Sequence, residues 1–332
     1  MLPKRFEEPA DFKWGTFTDA GGAKIRYGSL QPAGESKGTI VLTTGFREPI
    51  EKYFEVIRDM TDRGFSVWAM DWHGQGGSDR YLKDHPQRMY NEDYKEHIDT
   101  LHQFTNDIVK KSSGPLILMA HSMGANIGMR YLKEHDGVFD SAIMTSPMCD
   151  IKTPGFPRPV AQMLVKAARL GNFLGEYVPM AGDWNEKEHV FFTNKVTSDQ
   201  ARYDVIPEIY RMKPELKMGE ATYGWVLQAF NSIDILHGVN YLQSIKTPIL
   251  MGIAGNDDIV DSAASIRAAG LVSNCIRIDV PGAKHEIWME RDELRAPWLT
   301  RVSAFLEERL GQQAPSPKKP KENNIPRPPK MG

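Results

Sequence analysis

A sharp turn around Ser122 constrains this sequence more than any other feature. The apolar run PLILM at residues 115–119 is typical of a buried β-strand, and a helical pattern of apolar residues begins soon after it. The segment AHSMG at 120–124 must therefore join a strand to a helix with the serine at its tip. A turn this tight needs small residues two positions before and after the serine, and Ala120 and Gly124 meet that need. The sequence thus predicts a strand, a turn that exposes a hydroxyl, and a helix.

Strands and helices alternate along most of the remaining chain. Residues 65–70 and 142–145 have the composition of strands, and apolar residues at helical spacing mark one face of a helix over 94–108. Residues 12–31 alternate as in a β-hairpin that turns at 19–22. This alternation predicts an α/β fold with a mostly parallel central sheet and helices on both of its faces.

The alternation is interrupted in the middle of the chain. Over residues 148–242 strand patterns give way to helical patterns with prolines. We expect this segment to be a helical cap over the strand ends, inserted between an N-terminal part of the core at 1–147 and a C-terminal part at 243–311. The apolar-rich run at 160–174 would either pack against the body or contact an acyl chain or a membrane surface.

Ser122 and His285 are candidates for a nucleophile and its base. A serine hydroxyl is a weak nucleophile unless a neighbouring base takes its proton. His285 lies in a loop that follows a short predicted strand at 275–280, and this loop precedes the final helix. Taken alone, Ser122 is also explained as a helix cap and His285 as a surface histidine. Their order along the chain, with an acid between them, favours a serine–acid–histidine triad.

The acid is expected in the loop after the predicted strand at 248–254. A carboxylate just beyond a strand's carboxyl end can hold the histidine in its productive tautomer. The loop offers Asp257 and Asp258, and the spacing from Gly255 favours Asp258, although either is also explained as an ordinary turn residue. Asp261 is better explained as the cap of the following helix.

A second loop is the candidate for an oxyanion hole. The predicted strand at 38–43 runs into Thr44 and Gly45, and the loop would provide the backbone N–H of Phe46. The N–H of Met123, directly after the serine, would provide the second donor. Gly45 would let the backbone approach the substrate oxygen, and its alternative explanation is a simple turn.

These motifs together resemble the α/β-hydrolase superfamily, and in particular its bacterial lysophospholipase and monoacylglycerol lipase branch, over most of residues 38–308. Two departures are visible: Thr44 stands where many members have histidine, and Ala120 stands where glycine is commoner. Neither affects the backbone N–H groups. The other segments that carry the resemblance are DWHGQGGS at 71–78, GNDDIVD at 255–261, GAKH at 282–285 and, in the cap, TSDQARY at 197–203 and GEATYGW at 219–225.

The resemblance implies a serine hydrolase of carboxylic esters that cleaves single-acyl glycerolipids through an acyl-serine, with a lysophospholipase as the first expectation. Monoacylglycerol hydrolysis and hydrolysis of small esters are the enzymatic alternatives. A binding or scaffold protein on a hydrolase fold is the non-enzymatic one. Dehalogenase and epoxide chemistry is disfavoured because it uses an aspartate where this chain has Ser122.

The composition and the short motifs limit which partners and cofactors we expect this chain to bind. Lysines and arginines number 41 against 43 aspartates and glutamates, a net charge of -2 that gives no general attraction to nucleic acid. Cys149 and Cys275 are the only cysteines, and no metal-binding spacing is present, so we expect neither a disulfide framework nor a metal. A dinucleotide fingerprint starting at Gly74 fails at Asp79, which argues against nucleotide cofactors.

The first residues and the proline- and lysine-rich last residues lead to expectations about where in the cell the protein acts. The first residues lack the apolar core of a signal peptide, and no run of about 20 apolar residues predicts a membrane span. The expectation is a cytoplasmic protein with a peripheral contact to the inner membrane. Residues 312–332, rich in proline and lysine, are predicted to be a disordered or extended tail. The sequence leaves the oligomeric state open.

Overall fold

The computed structural model describes residues 2–153 and 155–313, which form an α/β fold around one eight-stranded sheet. The order of its strands across the sheet is β1-β2-β4-β3-β5-β6-β7-β8. The strands are β1 (Lys13–Thr18), β2 (Lys24–Leu30), β3 (Gly38–Thr43), β4 (Phe65–Met70), β5 (Leu116–His121), β6 (Ser141–Thr145), β7 (Ile249–Ala254) and β8 (Cys275–Val280).

The sheet is mostly parallel, as predicted. The pairs β1–β2 and β2–β4 are antiparallel, and every other neighbouring pair runs parallel. The predicted hairpin is confirmed as β1 and β2, with Gly22 at a φ of 88° in the turn between them. Because β3, β5, β7 and β8 are parallel, the loops that follow them meet at one edge of the sheet.

Helices cover both faces of the sheet and fill the segment between β6 and β7. Asp261 caps α8 by accepting the N–H of Ala263 at 2.9 Å, as its position suggested. A short π-helix, Phe104–Ile108, continues α2. The helices are α1 (Phe54–Asp62), α2 (Tyr94–Gln103), α3 (Met123–Glu134), α4 (Arg158–Leu170), α5 (Gln200–Tyr203), α6 (Val205–Met212), α7 (Tyr223–Leu236), α8 (Ser262–Leu271) and α9 (Asp292–Gln313).

Two apolar cores lie on opposite faces of the sheet. Alternate residues of each strand point to opposite faces, so Val41 and Leu118 join one core while Ile40 and Ile117 join the other. All six residues of β3, β4, β5 and β7 are buried, which fits strands covered on both faces.

The segment between β6 and β7, which we call the cap segment (residues 148–242), packs on both cores. Its helix α7 contributes Ile233 to the first core, and α6 contributes Ile209 to the second. Within the described residues, this segment holds helices and isolated bridges rather than ladder strands. The described helices include none that is long and apolar enough to span a bilayer. The tail was predicted from residue 312, but α9 continues to Gln313, so its first two residues are helical; the rest of the predicted tail, from position 314 onward, lies outside the described residues.

Candidate active site

Ser122 stands at a strained turn between β5 and α3. Its φ of 52° and ψ of -115° fall in a region that residues with side chains rarely occupy. The backbone holds the turn firmly, because the Ser122 N–H donates to Thr145 O at 3.1 Å and the Ser122 carbonyl accepts the N–H of Met148 at 3.1 Å. A backbone strained and fixed in this way is typical of a functional site.

The structure explains why a small residue, Gly124, is needed two positions after the serine. A Cβ at this position would lie 2.6 Å from Thr44 O and 3.0 Å from Thr43 O, both on the main chain at the end of β3. The start of α3 and the loop after β3 therefore touch backbone to backbone. On the other side of the turn, Ala120 is buried in β5 between β3 and β6.

The structure brings Ser122 and His285 together, although 163 positions separate them in the chain. His285 Nε2 lies 2.9 Å from Ser122 Oγ, and both residues are buried. The loop that carries the histidine is tied to the strand ends, because Ser146 Oγ donates to the His285 carbonyl at 2.6 Å. The imidazole is thus placed to take the serine proton.

The acid beside the histidine is Asp257, so the expectation of Asp258 is corrected. Asp257 Oδ2 lies 2.7 Å from His285 Nδ1, and Asp257 Oδ1 accepts the N–H groups of Ile259 and Val260 at 2.8 and 2.9 Å. Asp258 turns outward: its side chain is 69% exposed and faces Lys152 at 3.5 Å. The turn, in which Asp257 accepts hydrogen bonds from the residues two and three positions on, decides which aspartate points inward.

The environment of Asp257 keeps it ionised. Burial by itself would raise the pKa of its carboxyl, but His285 and the two backbone N–H groups outweigh burial and hold the pKa below its ordinary value. A carboxylate here can fix the tautomer of His285 with Nε2 free to face the serine, and can stabilise the imidazolium that forms when the proton moves.

The candidate oxyanion loop is held from both sides. Gln75 Nε2 donates to Gly45 O at 2.8 Å, and Glu48 Oε2 accepts the Gly45 N–H at 2.5 Å. Within the described residues the Phe46 N–H has no hydrogen-bond partner. The Met123 N–H belongs to the first residue of α3, where no acceptor exists within the helix. Both N–H groups are therefore without an acceptor among the described residues, and their role as oxyanion donors stays a prediction.

No pattern in the sequence predicted the buried charged cluster that lies behind this loop. Lys52 Nζ lies 2.6 Å from both Glu48 Oε1 and Glu286 Oε1, and Tyr53 donates to Glu48 Oε2 at 2.6 Å. Burial opposes the charge of Glu48, but Lys52 and the other groups that face this carboxylate together outweigh burial and lower its pKa to about 2. Burial raises the pKa of Glu286. The i, i+4 spacing of Glu48 and Lys52 was visible in the sequence, whereas the contact with Glu286 spans most of the chain.

A cavity of about 450 Å³ opens beside Ser122 and His285. The indole of Trp225, on α7, stacks on Phe46 with ring centroids 4.2 Å apart, and its Nε1 lies 3.3 Å from Met123 Sδ. The cap segment thus contacts both residues that carry the candidate oxyanion donors. The apolar lining includes Met148, Ile151, Trp184, Ile206, Ile259 and Val260.

One group of metal-binding residue types lies away from this cavity. The ligand atoms of Asp19, His73 and Glu96 are within 4.8 Å of one another. A hydrogen bond of 2.7 Å between His73 Nδ1 and Glu96 Oε1 accounts for much of this proximity. None of the three lines the cavity beside Ser122.

A protein family and several proteins of known name match most of this chain. The family described as serine aminopeptidase, S33, matches residues 34–292. The probable lysophospholipase L2 of Haemophilus influenzae is 29% identical over 85% of this chain and 88% of its own length. Lysophospholipase L2 of Escherichia coli K12 is 31% identical over 80% of this chain and 79% of its own length.

A solved structure shares the fold. A soluble variant of monoglyceride lipase from Saccharomyces cerevisiae, in complex with a substrate analog, superposes with a TM-score of 0.70 at 18% identity. The match covers 92% of this chain and 99% of that one, so the central sheet, its flanking helices and the cap segment all fall within a known architecture.

Proposed function

The chain belongs to the family described as serine aminopeptidase, S33, a family of α/β-hydrolases, and from this premise we propose that it hydrolyses the carboxylic ester of single-acyl glycerolipids, foremost lysophospholipids. The observation that carries the proposal is the continuous contact from Ser122 Oγ through His285 to Asp257, at 2.9 and 2.7 Å, beside a largely apolar cavity. The names of the two bacterial relatives support lysophospholipids as the substrate class.

The proposed reaction proceeds in two halves. Ser122 Oγ attacks the ester carbonyl while His285 Nε2 takes its proton, and the carbonyl oxygen, now negative, accepts hydrogen bonds from the N–H groups of Phe46 and Met123. The glycerol oxygen leaves with the proton held by His285, and the acyl group stays on the serine. A water molecule then gives a proton to His285 and attacks the acyl carbonyl. The departing Ser122 Oγ takes that proton back from His285 as the fatty acid is released.

Apolar side chains of the cavity suit the acyl chain. Met148, Ile151, Ile206, Ile259 and Val260 come from the cap segment and from the loop that carries Asp257. Burying an acyl methylene against such surface contributes about 0.8 kcal/mol to binding. This lining favours an ester with a hydrocarbon tail over a short polar ester.

The test measures fatty-acid release from a lysophospholipid and a monoacylglycerol, p-nitrophenol release from a short p-nitrophenyl ester, and arylamine release from an aminoacyl anilide. We expect the fastest release from the lysophospholipid. Ser122→Ala should lose at least about 10⁴-fold in rate, because the acyl-serine cannot form. Preference for the monoacylglycerol, or for the short ester alone, would establish the corresponding alternative hydrolase. Anilide cleavage without ester cleavage would indicate a peptidase, and no turnover at all would leave the binding-protein hypothesis.

We also propose a peripheral membrane contact through α4 of the cap segment. Val165 and Ala168 are buried on one side of this helix, while Met163 and Leu170, seven positions apart, are exposed together on another. Leu170 is 91% exposed, and the exposed cations Lys166 and Arg169 lie on the same helix. Exposed apolar residues flanked by cations are typical of a helix that lies in a membrane interface.

Sedimentation with vesicles of phosphatidylethanolamine and phosphatidylglycerol tests this contact. The double variant Met163→Glu, Leu170→Glu should bind at least about tenfold more weakly, because two apolar side chains no longer enter the interface. Ile276→Glu is the matched control, since Ile276 is a partly exposed apolar residue on β8, outside the cap segment. Equal binding of the double variant and the control would rule out α4 as the contact.

A further inference from the structure

The cationic side chains that line the cavity differ in whether carboxylates neutralise them. Arg47 and Lys195 form no ion pair with a carboxylate anywhere in residues 2–153 and 155–313. The exposed carboxylate of Glu220, which also lines the cavity, is not ion-paired with either. The other two cations are neutralised: Lys52 by Glu48 and Glu286, and Arg202 by Glu55, Asp199 and Asp292.

Arg47 is held in place by its main chain. Its N–H donates to Gln75 Oε1 at 3.0 Å, and its carbonyl accepts the hydroxyl of Tyr210 at 3.3 Å. The φ of Arg47 is 69°, so the chain takes a left-handed turn directly after Phe46. The guanidinium is half-buried and donates one hydrogen bond among the described residues, to Met218 O at 3.3 Å. Within that part of the chain its other N–H groups have no hydrogen-bond partner and can meet a ligand, whereas Lys195 is exposed and its ammonium group donates no hydrogen bond there.

We propose that Arg47 binds the phosphate of a lysophospholipid whose ester carbonyl lies against the N–H groups of Phe46 and Met123. This inference rests on the proposed function. In a lysophospholipid a glycerol unit separates the ester from the phosphate, and Phe46 and Arg47 are consecutive residues, about 3.8 Å apart between Cα atoms. One short loop can therefore contact both groups of a single substrate.

The chemistry of the guanidinium makes the contact selective. Arginine offers a planar set of donors that matches phosphate oxygens, and a charge-assisted hydrogen bond is stronger than a neutral one. A monoacylglycerol carries an uncharged hydroxyl in place of the phosphate and gains little from Arg47. The structure thus assigns Arg47 as the residue that distinguishes lysophospholipids from monoacylglycerols.

The experiment compares kcat/KM for two soluble substrates with the same acyl chain, 1-hexanoylglycerophosphocholine and 1-hexanoylglycerol, below their micelle concentrations. Arg47→Gln should lower kcat/KM for the phosphocholine ester by about 10- to 100-fold, mainly through KM, because the lost contact is made equally in the bound substrate and the transition state. The value for hexanoylglycerol should change by less than about twofold. Arg47→Lys, which keeps the charge, should retain an intermediate preference.

Arg211→Gln is the matched control, because it removes the same charge from α6 at a residue that does not line the cavity. The control should leave the ratio of the two kcat/KM values unchanged within about twofold. An equal loss on both substrates in Arg47→Gln, or a ratio that moves in Lys195→Gln instead, would overturn the assignment of Arg47. If the unaltered enzyme releases hexanoate from neither substrate, the proposed function fails and this inference fails with it.

Discussion

Two neighbouring aspartate side chains in the loop after β7 lie in opposite environments. Asp257 is buried, ionised and bonded to His285, whereas the side chain of Asp258 lies in solvent beside Lys152. A carboxylate orients an imidazole only through direct contact, so the two residues should differ sharply in their effect on rate. Replacing each aspartate by asparagine therefore gives a matched pair of substitutions with identical chemistry.

Asp257→Asn should lower kcat on a p-nitrophenyl ester by about 10³- to 10⁴-fold, because an amide neither stabilises the imidazolium nor enforces the productive tautomer. Asp258→Asn should stay within about twofold of the unaltered protein. Circular dichroism of both variants checks that the loop still folds, since Asp257 also accepts the N–H groups of Ile259 and Val260. Comparable losses in the two variants would refute the assignment of Asp257.

The start of α3 and the end of β3 touch backbone to backbone at the site. Gly124 permits it, because any Cβ there would overlap the main-chain oxygens of Thr43 and Thr44. Thr44 precedes the candidate oxyanion loop, and its carbonyl also accepts the indole N–H of Trp72 at 2.8 Å. Displacing this backbone would move Phe46 relative to Ser122. The separation of two elements thus controls the geometry of the proposed oxyanion hole.

Gly124→Ala should lower the free energy of unfolding by about 1–3 kcal/mol and reduce kcat strongly, because the backbone of β3 cannot yield without moving the loop. Gly128→Ala, one helical turn later, is the control: its Cβ would meet the flexible tip of Leu118 at 3.0 Å. Helix propensity favours alanine there by about 1 kcal/mol. Urea unfolding and ester hydrolysis measure both effects. Full activity in Gly124→Ala would show that the close approach is not required.

The folded molecule buries two histidines, His97 and His121, in their neutral form. His97 is fully buried against the rings of Trp72 and Tyr94, and neither of its ring nitrogens has a partner within the described residues. Burial lowers the pKa of His97 to about 4 and that of His121 to about 3. In the unfolded chain both return to the ordinary value of about 6.5. Below about pH 6.5 the unfolded state binds more protons than the folded state, so lowering the pH favours unfolding.

The free energy of unfolding should therefore fall by about 2 kcal/mol for each of these histidines between pH 7 and pH 5. His97→Gln, which cannot titrate, should show a decrease smaller by about that amount. Urea titrations of both proteins at the two pH values measure the difference. An unchanged pH dependence in the variant would mean that His97 takes up its proton as readily in the folded protein as in the unfolded chain.

The sequence by itself determined the local features of this protein. The alternation of strands and helices, the hairpin, and the strand–turn–helix around Ser122 follow from periodicity and turn chemistry within short segments. The cap segment was visible as a change in pattern, although its packing on both cores was not.

The tertiary structure decided which side chains meet. It selects Asp257 over Asp258, because the loop turns one carboxylate toward a histidine 28 positions away and the other toward solvent. It also buries Lys52 between Glu48 and Glu286, and among the described residues it pairs no carboxylate with Arg47 in the cavity. Periodicity reports which face of an element is apolar, whereas the contacts of Lys52 with Glu286 and of His285 with Asp257 depend on distances between segments far apart in the chain, which no local pattern encodes.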